Sequence, residues 1–189
     1  LVRDLLGLGL HPLGTQLGHG CTVSAEARGW QASMNVVIAG GSGGIGGALV
    51  DTLAGRAGVE HVIATWNRHA PATQYPNVTW QQLDLADEDA VHAWAEQTGD
   101  IDWLINAAGM LHNSSQGPEK TIRQIDPAFF LENMNTNTLP TLLLAKHLHA
   151  RFRHGRPAVF ATVSAKVGCS LSHWLKSSSL STMIFICML

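Results

Sequence analysis

Cysteine is scarce in this chain, three in 189 residues: Cys21, Cys169 and Cys187. They are too few and too scattered for a disulfide framework, and no Cys-x-x-Cys pair exists to begin a zinc site. Charge is sparse as well, 14% of residues with a formal net charge of -2. That excludes the basic footprint of a nucleic-acid binder or of a protein held on an anionic membrane surface. Long apolar runs are missing. The longest strongly apolar stretch, Met183 to Leu189, is too short to span a bilayer. Tyrosine occurs once, as Tyr75. These absences leave the expectation of a globular chain in a reducing cytoplasm, and a 46% apolar composition supports one domain with a sizeable core.

What is present falls into three zones. Residues 1–33 are rich in Gly and Leu without a helical or strand period, and they read as a poorly ordered N-terminal extension. Gly7, Gly9 and Pro12 break the apolar stretch that a secretory signal needs. Residues 34–168 carry regular patterning. Residues 169–189 hold six serines and read as an atypical tail with no continuation of the pattern.

Within 34–168, strand runs alternate with helical ones. Asn35–Ala39 is a buried-strand run, followed by Gly40-Gly-Ser-Gly-Gly-Ile-Gly46 and a helix face of Ile45, Leu49 and Leu53. Further strands are expected at His61–Trp66, Val78–Leu83, Asp102–Asn106 and Pro157–Val163. A helix is expected over Asp87–Gln97. Another starts at Asp126-Pro127, an N-cap followed by proline at the first helical position, and is interrupted at Pro140. This alternation predicts an α/β fold: a Rossmann-type, doubly wound parallel sheet, incomplete at its C-terminal side.

The glycine run follows a strand and opens a helix, the context in which such a run approaches a pyrophosphate. No Lys-Ser/Thr follows Gly46, so a triphosphate P-loop is not indicated. The glycines fit several spacings and do not by themselves choose a branch. Ser42, Asn67, Arg68, Asp84, Asn106 and Ser164 each fall at or just past the carboxyl end of an expected strand, the edge where open α/β sheets bind ligands. About 20 residues past the glycines an NAD-binding chain carries a carboxylate for the ribose 2′-OH. Here that place reads Trp66-Asn67-Arg68-His69, with no acid. Arg68 suits a 2′-phosphate, so NADP(H) is the expected cofactor, with NAD as the alternative.

Gly40-x-x-x-Gly44-Ile45-Gly46 together with Asn106-Ala107-Ala-Gly109 resembles the short-chain dehydrogenase/reductase family. The resemblance covers 34–168, and the wording around Asn137 and Ser164 looks like its C-factor-like branch. It implies that Asp84-Leu85 contacts the adenine, that Asn137 is the tetrad asparagine and that Ser164 stands nearest the active-site serine. It also implies hydride transfer between a nicotinamide dinucleotide and a small carbonyl or alcohol compound, and it allows an oligomer.

The family's proton donor is a tyrosine with a lysine four residues on, and no Tyr-x-x-x-Lys occurs in this sequence. By strict alignment Ala165 takes the serine's place, with Ser164 beside it. The chain therefore reads as truncated after its fifth strand and catalytically incomplete. The alternatives are a non-catalytic NADP(H)-binding protein and a non-functional or interaction-only truncated product.

Overall fold

The structure is a computed structural model that describes residues 33–163 and the backbone of residues 182–184. Most of the expected N-terminal extension and tail, and Ser164 with them, lie outside the described residues. In chain order the elements are β1 (Met34–Ala39), α1 (Gly44–Ala54), β2 (Val59–Trp66), β3 (Val78–Gln82), α2 (Glu88–Gln97), β4 (Trp103–Asn106), α3 (Pro127–Asn137), α4 (Leu139–Leu148), β5 (Ala158–Thr162) and β6 (Thr182–Ile184). The strands form one sheet ordered β3-β2-β1-β4-β5-β6. Every pairing is parallel.

Parallel strands covered on both faces read as continuous apolar runs, and β1 shows why. Val36 and Ile38 join Leu49, Leu53, Val62 and Ile105 in the core under α1. Val37 and Ala39 point the other way, into a second core with Val91, Trp94, Leu104, Leu144 and Phe160. The chain leaves β1 for β2 on one side and returns to β4 on the other. The carboxyl ends of β1 and β4 therefore flank the crevice where strand order reverses.

The expected helix starts are in place. The Asp87 side chain accepts from the Ala90 N–H at 3.1 Å. Asp126 caps α3 by accepting from the Ala128 N–H at 2.8 Å. The long helix breaks as expected near Pro140: α3 ends at Asn137 and α4 begins at Leu139. Pro140 has no N–H for the carbonyl of Thr136, so the ladder opens there.

One expectation is corrected. The sequence pattern predicts no continuation of the strand–helix alternation in 169–189, yet Thr182–Ile184 pairs in parallel with Ala158–Phe160. A three-residue strand is too short to show a period, so the apolar run that begins at Met183 gave no strand signal of its own.

Asp102 ties the strand entrances together. It is 3% exposed. Its Oδ2 accepts from the Asn35 N–H at 2.9 Å, and its Oδ1 accepts from Arg156 Nε at 2.9 Å. His154 Nε2 donates to the neighbouring Ile101 carbonyl at 2.8 Å. Asp102→Ala leaves the part-buried Asn35 N–H without its acceptor and Arg156 without its ion-pair partner, so a stability loss of about 1–3 kcal/mol is expected, read as a lowered urea midpoint. A parental midpoint would show that this link between β1, β4 and β5 contributes nothing.

Candidate functional site

A cleft of about 490 Å³ opens at the carboxyl edge of the sheet, over the crevice between β1 and β4. Its floor is the glycine turn. Gly40 sits at φ +78°, a left-handed backbone that L side chains rarely adopt, and a Cβ there would come 2.7 Å from the Ala108 nitrogen. The Gly40 N–H donates to the buried Thr65 hydroxyl at 3.0 Å, which fixes the turn against β2. Gly46 is tighter still, since a Cβ would lie 2.1 Å from the Gly40 carbonyl oxygen. Gly44, by contrast, faces open space. The α1 N-cap is Gly43, which offers no side-chain hydrogen bond. The first amides of α1 are therefore left to an incoming anion, and the dipole adds to the attraction.

Most of the residues singled out in the sequence meet at this cleft. Gly40 and Ser42 line it from the glycine turn, Asn67 and Arg68 from the end of β2, Asp84 and Leu85 from the end of β3, and Ala107 and Gly109 from the end of β4. Gly44, Ile45 and Gly46 form the turn and the first residues of α1 beside it. Asp84 Oδ1 accepts from the Ala86 N–H at 3.0 Å, so this carboxylate also closes the strand–helix turn.

Asn106 lies beneath the cleft and is buried. Its Nδ2 donates to the Thr141 hydroxyl at 2.9 Å and its Oδ1 accepts from the Ala108 N–H at 3.1 Å. It shapes the turn that presents Ala107 to Gly109. Asn137 does related work one layer further out. Its Oδ1 accepts from the Met110 N–H at 2.6 Å, and its Nδ2 donates to the Met110 carbonyl at 2.9 Å. Both ends of its amide grip one residue.

Several cleft residues were not singled out in the sequence: Thr65, His69, His112, Asn135 and Thr136. His69 adjoins Arg68 and was within reach of the same charge argument. Thr65 lies near the end of β2, while the approach of α3 to the loop after β4 brings in His112, Asn135 and Thr136, and no local pattern announces it. The titratable side chains lining the cleft are Arg68, His69, Asp84 and His112. Arg68 is exposed and makes no hydrogen bond or ion pair among the described residues.

Tyr75 is far from this group. It precedes β3, at the amino edge of the sheet, and its hydroxyl donates to Asp51 Oδ1 at 2.9 Å. That hydrogen bond, with smaller contributions from burial and the Asp51 charge, holds its pKa above the ordinary tyrosine value. Among the described residues no group of three or more metal-ligating side chains is assembled, and no helix is long and apolar enough to cross a membrane.

Comparison with known proteins agrees with this geometry. The family model for short chain dehydrogenase matches residues 34–176. No curated protein matches the chain. Among solved structures, NADPH-bound carbonyl reductase from chicken fatty liver shares 21% identity at a TM-score of 0.62, over 74% of this chain and 60% of that one. ElxO with NADP bound shares 24% at 0.60, over 72% and 57%. The NADH-dependent reductase A1-R′ complexed with NAD shares 21% at 0.59, over 75% and 64%. The chain thus spans 57–64% of the length of these three structures, and at these identities the likeness is one of fold.

Proposed function

The chain belongs to the short chain dehydrogenase family, and on that premise we propose that it binds a nicotinamide dinucleotide, NADP(H) in preference to NAD(H), as an oxidoreductase-type cofactor site. The carrying observation is the cleft itself. A glycine turn with no room for side chains at Gly40 and Gly46, and an uncapped helix start, lie at the switch point of the sheet. The residues fit the group. The glycine turn and the amides of α1 would hold the pyrophosphate, and Asp84 and Leu85 the adenine. Arg68 would hold the 2′-phosphate, and Ala107 to Gly109 would back the nicotinamide half. When bound, the nicotinamide supplies or accepts hydride.

Arg68 supports the phosphate preference because no carboxylate among the cleft residues stands with it at the end of β2. A planar guanidinium there offers a phosphate two parallel hydrogen bonds. NADPH and NADH titrations, followed by intrinsic tryptophan fluorescence, should give the tighter constant for NADPH. Arg68→Asp should remove or invert the difference, a loss of about 1.5–3 kcal/mol in NADPH binding. Parental discrimination in that variant would refute the role of Arg68.

A second reading is favoured by the placement of Tyr75. A cleft lacking a tyrosine among its described residues suits a protein that holds the dinucleotide without turning it over. In either reading the small molecule beside the cofactor would be a carbonyl or alcohol compound, and the site would work in the cytoplasm.

A further inference from the structure

We propose that His112 is the side chain that hydrogen-bonds the oxygen of a small carbonyl compound in the β4 half of the cleft. This inference rests on the dinucleotide reading above. A dinucleotide whose 2′-phosphate lies at Arg68, just past the end of β2, and whose pyrophosphate crosses the glycine turn must send its other end toward β4 and α3. Of the four titratable groups lining the cleft, Arg68, His69 and Asp84 come from the β2 and β3 ends. His112 alone comes from the loop that follows β4.

The loop holds His112 between two anchors. On one side Met110 is gripped through both its N–H and its carbonyl by Asn137 of α3. On the other, Asn113 Nδ2 donates to Glu132 Oε2 of α3 at 2.8 Å, while Asn113 Oδ1 accepts from the N–H groups of Ser115 and Gln116 at 3.0 and 2.8 Å. The backbone to either side of His112 is therefore positioned by the same helix that carries Asn135 and Thr136 to the cleft. The hydrogen bonds of the Asn113 amide and of Asn137 are committed to the protein. His112 makes no hydrogen bond among the described residues. At this exposed position water takes the imidazole N–H, and a carbonyl oxygen can replace that water as its acceptor. An anchored backbone carrying an uncommitted side chain suits a ligand-binding group, because the backbone part of the ordering cost is met before the ligand arrives.

The test uses benzoate, whose carboxylate offers the imidazole a stronger oxygen acceptor, titrated by calorimetry into the full chain loaded with NADP. Benzoate should bind the loaded parent chain. His112→Phe should weaken it about tenfold or more, in line with the loss of a hydrogen bond to a charged group. His112→Gln, which keeps a neutral donor, should recover part of that loss. Both variants should hold NADP within twofold of the parent, since His112 is exposed and outside the cofactor residues named above. Unchanged benzoate affinity in His112→Phe overturns the assignment, as does a loaded parent chain that binds no benzoate. A parent chain that binds no NADP in the preceding titration overturns the dinucleotide reading itself.

Discussion

Gly46→Ala is expected to destroy nucleotide binding and to lower the melting temperature by several degrees. The added Cβ would lie 2.1 Å from the Gly40 carbonyl oxygen and 2.9 Å from the Gly41 Cα. Both obstacles are backbone, so no side-chain rotation relieves the overlap. α1 must tilt or the turn must open. Overpacking of this kind costs about 1–3 kcal/mol, sometimes more, and each kcal/mol moves the melting point of a chain this size by about 2–4 °C. Either adjustment also moves the α1 amides away from the place where a pyrophosphate would sit. Gly44→Ala separates the two consequences. Its Cβ meets no protein atom within 4 Å, and at the first position of the helix alanine is no worse than glycine. Its melting temperature should stay level or rise, while NADPH affinity falls because the methyl occupies the ligand's approach. A parental melting temperature in Gly46→Ala would refute the packing role of that glycine. Parental NADPH affinity in Gly44→Ala would refute the phosphate path over α1.

These two glycines also show what the sequence discloses and what it does not. The run from Gly40 to Gly46 is legible because it follows five residues of buried strand and precedes a helical period, and the structure keeps that order. The division of labour inside the run is not legible. Only the tertiary fold puts the Gly40 carbonyl under Gly46 and leaves Gly44 facing solvent. Asp126-Pro127 is a local signal, because a cap bonds its own helix within three residues, and it appears as expected. Asn106 and Asn137 mark the right neighbourhood through their motifs. Their partners, Thr141 and Met110, are 35 and 27 residues away in sequence, so their hydrogen-bonding roles appear only in the fold. Asp102 is the same case, since it joins two strand entrances through Asn35 and Arg156. His112 carries no spacing signal at all. It matters because α3 pins the residues on either side of it.

Carbonyl-dependent NADPH oxidation by this chain is expected to be lower, by roughly the 10²–10⁴-fold that general acid–base catalysis contributes, than in a chain carrying a tyrosine–lysine pair at the cleft. Reduction of a carbonyl builds negative charge on oxygen, and the proton must come from a donor within about 2.6–3.2 Å. Tyr75 is the sequence's one tyrosine, and it stands three residues before β3, on the amino edge of the sheet. The cleft lies on the carboxyl edge. Five residues of strand separate the two edges along β3, roughly 16 Å at the rise of an extended chain. Its hydroxyl is already given to Asp51, and that bond makes it a weaker acid than free tyrosine. His112 can bind an oxygen, but no lysine among the cleft residues supports it, and a hydrogen bond without matched proton transfer favours binding more than turnover. A panel of aldehydes and ketones should therefore give NADPH consumption near the buffer rate, and Tyr75→Phe should change nothing. Sustained consumption that survives Tyr75→Phe and vanishes in Ser164→Ala would place the working hydroxyl at Ser164 and overturn this expectation. Sustained consumption lost in Tyr75→Phe, with the melting temperature unchanged, would overturn the placement of Tyr75 away from the cleft.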